Sequence, residues 1–319
     1  MKVTKSVPIA FLVAGAMCCC GCQVAAPIRV WVPPKFTSTV GKRVVVAPIS
    51  GDPDVAAELH SRIVAGSPRD AGRATDLVDA RELQMQSHVR LVSAIDDESS
   101  DLALAAVAKR QGFDFVLAGQ LMESRGALAT ANADSENRLT ISWRLDSLGD
   151  APTVDGSPVI VTSESLAQRY PDLASVDDTH AALLEAAKRR TYELITPSVQ
   201  REEISLAVSY GLPGSNALRR GNDAARSGHW GQAREIWGDV VRNHPRLYAA
   251  AKNMAIAEVA AQNFSAAKAH ARRAIRLLPL ASSQRTLVWV ELKQRAYHQS
   301  FGLADPAEGW FVTSDQAGQ

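Results

Sequence analysis

The spacing of apolar residues over the first two-thirds of the chain predicts alternating strands and helices. Continuous or alternating apolar runs predict six strands, at residues 43–49, 74–84, 113–119, 137–147, 158–163 and 201–210. The second of these is a short strand that runs into a turn or the start of a helix. Apolar positions three and four residues apart predict three helices, at residues 54–65, 99–111 and 179–195. The order is β-α-β-α-β-β-β-α-β, with helices early and a strand meander late. This order predicts an α+β fold, a mixed β-sheet with packed helices.

Three short segments of this region match, in order, the motifs of a known family. They are residues 44–49 (VVVAPI), 75–83 (TDLVDAREL) and 109–119 (KRQGFDFVLAG). The region therefore resembles a family of periplasmic lipoprotein domains. That family includes the curli-export lipoprotein, the penicillin-binding-protein activator lipoproteins and the N-terminal domain of the Tol-system β-propeller protein. The resemblance implies a mixed α/β periplasmic lipoprotein-type domain, which we expect at residues 42–212.

The last third of the chain contains a repeat with a period of 34 residues. The matched positions are Trp230 with Phe264, Ala233 with Ala267, Trp237 with Ala271, Val240 with Ala274, and Pro245 with Pro279. This period and these residue types resemble the tetratricopeptide repeat (TPR), which is built from pairs of helices. The resemblance implies an all-α TPR helical module at residues 215–299. We expect two repeats, at 216–245 and 247–279, a capping helix at 282–299 and a mobile tail at 300–319.

The N-terminus carries a targeting signal. A basic segment with two lysines precedes an apolar run at 7–17, which is too short to span the roughly 30 Å hydrocarbon core of a bilayer as a helix. This layout is typical of a secretory signal peptide. The cysteine cluster at 18–22 resembles a bacterial lipobox, in which a Cys after a small residue is diacylated and becomes the new N-terminus. Because Gly21 precedes Cys22, the resemblance implies lipidation at Cys22.

The lipobox resemblance also implies a location. Gln23, rather than Asp, follows the lipidated cysteine, and in this family that implies the outer membrane, on its periplasmic face. Residues 1–21 are then the signal peptide, and residues 22–41 form a proline-containing tether. Two alternatives stay open: lipidation of another cysteine in the cluster, and cleavage to a soluble periplasmic protein.

Composition and charge limit the classes of protein and the kinds of partner that are possible. A hydrophobic content of 46% and a charged content of 22% are ordinary for a globular protein and exclude a fully disordered or polytopic membrane protein. The net charge is +9 over residues 215–298 and −7 over residues 23–214. Either the two regions attract each other, or the basic module binds an anionic partner: an acidic protein, lipid headgroups or a polyanionic wall polymer. Nucleic acid is disfavoured by the compartment and by the lack of aromatic residues among the basic ones.

Four residues of the repeat module are candidates for partner binding: Arg219, Asn222, Arg226 and Lys252. They fall on the first helices of the repeats, and the TPR resemblance implies that these helices line the concave face that receives peptides. Asn222 and Lys252 align with positions used by carboxylate-binding members. The alternative is a solvated helix face. In the tail, Trp310 beside Phe311 is expected either to anchor a partner or to pack on the capping helix.

Signals of catalysis are missing from the sequence. The seven histidines are scattered, and no two lie four residues apart, so a helical metal pair is not expected. The motifs of nucleophile elbows, phosphate loops and dinucleotide sites do not occur. The acidic clusters Asp52/Asp54 and Asp96/Asp97/Glu98 suit helix caps and turns. We therefore expect no enzyme, no cofactor and no metal.

These observations predict a non-enzymatic outer-membrane lipoprotein that acts as a periplasmic adaptor or scaffold for an envelope protein complex. The alternative is a ring-forming component of a secretion or export apparatus. A membrane pore would need several long strands that alternate apolar and polar residues, and residues 137–147 are the one good candidate. A hydrolase is disfavoured because the catalytic motifs are missing.

Overall fold

The structure is a computed structural model that describes residues 24–66, 76–86, 97–125, 137–150, 153–307 and 309–311. The predicted signal peptide, the cysteine cluster with Cys22 and the last residues of the predicted tail lie outside these ranges. The chain divides into two compact units. The first, here called the repeat unit, contains Met1–Trp31, Val199–Tyr297 and Ala304–Gln319. The second, here called the sheet unit, contains Val32–Ser198 and His298–Leu303.

The structure contains seven strands within the described residues. In chain order they are β1 (Val24–Val32), β2 (Arg43–Val46), β3 (Asp76–Asp79), β4 (Phe115–Arg125), β5 (Arg138–Ser147), β6 (Val154–Thr162) and β7 (Ser198–Leu206). They form a five-stranded sheet of order β3-β2-β4-β5-β6 and a separate two-stranded sheet of β1 and β7. In the larger sheet β2 is parallel to β3 and β4, whereas β4, β5 and β6 are antiparallel.

The described residues also contain eleven α-helices. Those of the sheet unit are α1 (Pro53–Ala65), α2 (Ala80–Gln86), α3 (Asp97–Arg110), α4 (Ser163–Arg169), α5 (Pro171–Ala174) and α6 (Thr179–Ile195). The next four belong to the repeat unit: α7 (Ser215–Arg226), α8 (Trp230–Asn243), α9 (Tyr248–Ala260) and α10 (Phe264–Leu277). The last helix, α11 (Ala281–Phe301), lies in the repeat unit up to Tyr297. None of the helices in the described part of the chain is long and apolar enough to cross a membrane.

The mixed α+β fold predicted from the sequence is confirmed. Strand β2 reads as a continuous apolar run because both its faces are buried. Val44 and Val46 pack in one core with α1 and α6, whereas Val45 packs on the opposite face with α2 and α3. Strand β5 alternates buried Leu139, Ile141, Trp143 and Leu145 with more exposed polar residues, as expected of a half-buried antiparallel strand.

The helix ends of the sheet unit follow from local capping. The Asp52 side chain accepts the backbone N–H groups of Asp54 and Val55 at 3.2 Å, so this acid begins α1, as predicted. Asp178 accepts the N–H of Ala181 at 3.1 Å and begins α6. Helix α3 ends before Gly112, whose φ of +75° is a left-handed conformation that favours glycine.

The structure differs from the prediction at both borders of the sheet unit. Residues 22–41, expected as a tether, contain β1, whose Ala26, Ile28 and Val30 are at most 5% exposed. The strand expected at 201–210, as part of a domain ending at 212, is β7, and it pairs with β1 rather than with the larger sheet. Both strands belong to the repeat unit because their buried side chains pack with its helices.

Helices α7 to α10 of the repeat unit form two helical hairpins that follow the 34-residue period. Trp230 and Phe264 begin the second helix of each hairpin. Ala233 and Ala267 are both fully buried, which allows the paired helices to approach closely. The hairpins end where Pro245 and Pro279 were expected to close them.

The predicted mobile tail is partly ordered against the helices. The guanidinium carbon of Arg295 in α11 lies 5.0 Å from the ring centroid of Trp310, and that of Arg272 in α10 lies 4.6 Å from the ring centroid of Phe311. Such cation–π contacts hold the aromatic pair on the last two helices. Of the two expectations for Trp310, the structure shows packing on the capping helix.

Candidate functional site

Two buried asparagines of the repeat unit converge on one residue of the chain itself. Asn222 lies in α7 and Asn253 in α9, the first helices of the two hairpins, and they are 2% and 0% exposed. Both contact the main chain of Ala207, which directly follows β7. We call the side of α7 and α9 that carries Asn222 and Asn253 the inner face of the hairpins. This face therefore holds a segment of the same polypeptide.

Both polar main-chain groups of Ala207 are bound. The side-chain oxygen of Asn253 accepts the N–H of Ala207 at 2.7 Å, and the amide nitrogen of Asn253 donates to its carbonyl at 2.9 Å. Asn222 donates to the same carbonyl at 3.1 Å. A further hydrogen bond of 2.8 Å runs from Asn253 to the Asn222 side-chain oxygen. Since each amide has both donors and an acceptor, this network satisfies groups that would otherwise be buried unpaired.

Other hydrogen bonds attach β7, which directly precedes Ala207, and its partner strand β1 to the helices. Glu202 in β7 accepts the indole N–H of Trp289 at 2.8 Å and the ammonium of Lys293 at 2.7 Å. In β1, the carbonyl of Pro27 accepts the indole N–H of Trp230 at 2.9 Å. We call β1 and β7 together the ribbon. It is bound to the helices by apolar contacts and by hydrogen bonds to its main chain and to Glu202.

The four predicted partner-binding residues occupy different environments. Arg219 and Arg226 are exposed, whereas Asn222 and Lys252 are buried. Arg219 donates to the Asn216 side chain, and Arg226 forms a loose ion pair of 3.8 Å with Asp223. Within the described residues no hydrogen bond or ion pair joins any two of the four, so they do not form one cluster.

Lys252 is a buried cation. The residue is 4% exposed, and no hydrogen bond or ion pair of its side chain is found among the described residues. Burial lowers the pKa of its ammonium below the ordinary 10.5, and the positive charge of Arg285 lowers that pKa further. Its burial therefore contradicts the alternative of a solvated helix face at this position.

Binding of a partner's carboxylate by Asn222 and Lys252 stays a prediction, and for Asn222 it would require Ala207 to leave. Asn253 was missed by sequence reasoning. Its signal is a polar amide inside the apolar helix YAAAKNMAIAEVA, where a buried amide needs a hydrogen-bond partner. That partner lies 46 residues away in the chain.

A second polar pair missed by sequence reasoning lies in the sheet unit. His60 of α1 is 2% exposed, and its Nε2 lies 3.1 Å from the carboxylate of Asp79 at the end of β3. The same carboxylate oxygen accepts the N–H of Arg81 at 2.9 Å. The pair joins α1 to β3 and to the start of α2.

Comparisons with known proteins give low similarity. No protein-family model matches the chain, and no curated protein sequence matches it. Among solved structures, the PelC dodecamer of Paraburkholderia phytofirmans has a TM-score of 0.29 and 14% identity over 54% of this chain and 98% of that chain. Lipoprotein GNA1162 of Neisseria meningitidis has a TM-score of 0.29 and 13% identity over 47% of this chain and 97% of that chain.

The hypothetical protein CT253 of Chlamydia trachomatis has a TM-score of 0.25 and 13% identity over 48% of this chain and 98% of that chain. At this level of similarity the solved structures give no basis for transferring a function. The proposals below therefore depend on the residues of this chain.

Proposed function

We propose that the protein is a lipid-anchored adaptor of the bacterial envelope, and that its helical hairpins are a TPR-type module that binds polypeptide. The observation that carries this proposal is the recognition of Ala207 by Asn222 and Asn253. Their amides bind the N–H and C=O of one residue, groups that nearly every residue of an extended chain offers. This is the chemistry that a scaffold for other proteins needs.

The sequence and the position of β1 support the anchor. Strand β1 begins at Val24, two residues after Cys22. Two residues span at most about 7 Å. Acyl chains on Cys22 would therefore hold the ribbon, and with it the repeat unit, next to the membrane surface. Two or three acyl chains suffice for durable anchoring, whereas one gives only marginal binding.

We assign the partner-facing surface to exposed side chains just before and within α7, because Asn222 and Asn253 already hold Ala207. Tyr210 is 61% exposed and Leu212 is 56% exposed. The guanidinium carbon of Arg219 lies 5.5 Å from the Tyr210 ring centroid. Tyrosine and arginine dominate the binding energy of many protein interfaces. The positive charge of Arg219 and Arg220 favours an acidic segment on the partner.

Lipidation is tested by metabolic labelling with a clickable palmitate analogue. We expect the wild type and a Cys20→Ala control to carry the label and to sediment with the outer membrane. Cys22→Ala should lose both properties. Label retained by Cys22→Ala would show that another cysteine is lipidated. An unlabelled wild type would contradict the anchor.

The adaptor role is tested by affinity capture from detergent-solubilised envelopes. We expect the wild type to retain a defined set of proteins and Arg219→Glu to lose it. Arg242→Glu is the matched control because Arg242 is 72% exposed on α8 and carries the same charge. Equal capture by all three proteins would contradict the assigned surface. A large homo-oligomeric ring without partners in native mass spectrometry would favour the secretion component instead.

A further inference from the structure

The repeat unit contains a cleft whose charged lining residues are all arginines. Its volume is about 610 Å³, and it receives Arg29 from β1, Arg201 from β7 and Arg226 from the end of α7. Trp230 forms part of its wall. Among the described residues that line the cleft there is no aspartate or glutamate. Three guanidinium groups thus share one concave site.

The fold brings these arginines together from distant parts of the sequence. In β1, burial of Ile28 and Val30 places Arg29 on the exposed face, because side chains alternate along a strand. Pairing of β1 with β7 adds Arg201 to the same sheet. Arg226 lies in the last turn of α7, where the helix dipole stabilises a cation.

The charges in the cleft are only weakly neutralised. The side chain of Arg29 forms no hydrogen bond or ion pair with any other described residue. The guanidinium of Arg201 is 3.7 Å from the Glu203 carboxylate, and that of Arg226 is 3.8 Å from the Asp223 carboxylate. Both distances are longer than a hydrogen bond. Since each guanidinium carries five N–H donors, most of the donors around the cleft remain available to a ligand.

We infer that this cleft binds a phosphate group. Guanidinium groups match the geometry of phosphate oxygens and bind them through paired hydrogen bonds. The same group is offered by an anionic phospholipid headgroup and by a soluble phosphate ester. The headgroup as source rests on the proposed lipid anchor, which would place β1, and with it Arg29, close to the bilayer. Trp230 suits that position because indole rings concentrate at membrane interfaces.

The test uses the chain from residue 22 onward with Cys22→Ala, so that binding is measured without acyl chains. Vesicles of phosphatidylcholine are compared with vesicles of equal parts phosphatidylcholine and phosphatidylglycerol. We expect preference for the anionic vesicles. Replacement of Arg29, Arg201 and Arg226 together by Gln should lower the affinity about 100-fold, because each basic residue near an anionic surface contributes roughly fivefold.

The matched control replaces Arg242, Arg246 and Arg276 together by Gln. It removes the same charge from exposed positions of the same unit and should keep most of the vesicle binding. An equal loss in both triple variants would overturn the inference, because it would show attraction by net charge alone. Arg29→Gln is also tested alone, because Arg29 is exposed on β1 and this single substitution should leave the fold intact.

A second arm separates the two sources of phosphate. Glycerol 3-phosphate and inorganic phosphate are titrated into the same proteins by calorimetry and used as competitors of the vesicles. Binding that depends on the three arginines and resists both competitors supports the headgroup. Arginine-dependent binding of glycerol 3-phosphate without vesicle preference supports the phosphate site and assigns it to a soluble ester.

The inference is overturned if the cleft variant still binds both the anionic vesicles and the soluble phosphate compounds. It is also overturned if the wild type binds no phosphate compound. Failure of palmitate labelling with retained arginine-dependent binding would remove the anchor and leave the site in place. The two proposals therefore fail in different experiments.

Discussion

Each unit buries one tryptophan against a glycine, but the two pairs form in different ways. In the sheet unit, Trp143 of β5 lies opposite Gly119 of β4, and a Cβ on this glycine would be 2.6 Å from the ring. In the repeat unit, Trp237 of α8 packs on Gly221 of α7, where a Cβ would be 2.3 Å from Nε1. Strand register fixes the first pair, whereas close helix approach fixes the second.

The two units also differ in what else they bury. The indole N–H of Trp237 donates to the carbonyl of Leu218 at 3.1 Å, but that of Trp143 has no hydrogen-bond partner among the described residues. In the repeat unit the buried polar residues include amides and charged groups, namely Asn222, Lys252, Asn253, Glu258, Lys268 and Glu291. The repeat unit thus depends on specific polar contacts, including those to its ribbon, where the sheet unit depends mainly on aliphatic packing.

The largest effect should come from removing the two tryptophans. We expect Trp143→Ala and Trp237→Ala each to lower the free energy of unfolding by about 3–5 kcal/mol, the usual cost of a large aromatic cavity. Hydrogen exchange should show lost protection only in the unit that carries the change. Equal loss in both units from either variant would contradict their separate cores.

The asparagine network should give the next largest effect. Asn253→Ala leaves the N–H of Ala207 without its partner and removes one of two donors to the Ala207 carbonyl. We expect a loss of about 2–3 kcal/mol in chemical denaturation, since unpaired buried groups cost about 1–3 kcal/mol. Asn243→Ala, at the exposed end of α8, is the control and should change stability by less than about 0.5 kcal/mol. Equal effects of the two variants would disprove the role of the network.

Glu202 tests the attachment of β7 to α11. Glu202→Gln should cost about 1.5 kcal/mol because the amide oxygen still accepts from Trp289 while the amide nitrogen, a donor, replaces the oxygen that accepts from the Lys293 ammonium. Glu203→Gln is the control, because the Glu203 side chain is 57% exposed and its ion pair with Arg201 is loose. The expected readout is a lower melting temperature for the first variant alone.

A substitution of Lys252 should change the free energy of unfolding least, and it should raise this free energy rather than lower it. Because its folded-state pKa is lowered below 10.5, the unfolded chain binds more protons between the two pKa values, and wild-type stability rises with pH across that window. Lys252→Met removes the buried charge and should be slightly more stable at neutral pH. Its advantage should shrink towards pH 10.5, as measured by urea unfolding at both pH values. A constant difference would contradict the burial of a charged ammonium.

The sequence predicts the periodic elements of both units but not the ribbon. Helix α6 is predicted at residues 179–195, where it lies, because its apolar spacing and its cap are local features. A tether is predicted where β1 lies, because Pro27 interrupts the alternation of Ala26, Ile28 and Val30. Proline is tolerated there because β1 pairs in a two-stranded sheet, where each strand has an open edge.

The candidate site could be predicted only in part for a similar reason. Asn222 is identified through the TPR resemblance, and in the structure it lies on the inner side of the first hairpin, bound to Ala207. The identity of its ligand depends on where the segment after β7 runs, which no local pattern in the sequence specifies. The arginine cleft depends in the same way on the pairing of β1 with β7.

The central claim is that the inner face of the repeat unit holds its own chain at Ala207. Hydrogen exchange of the Ala207 amide in the wild type, Asn253→Ala and the Asn243→Ala control tests it most directly. We predict strong protection in the wild type and the control, and protection reduced by at least about 30-fold in Asn253→Ala, the equivalent of about 2 kcal/mol. Rapid exchange of this amide in the wild type would contradict the claim.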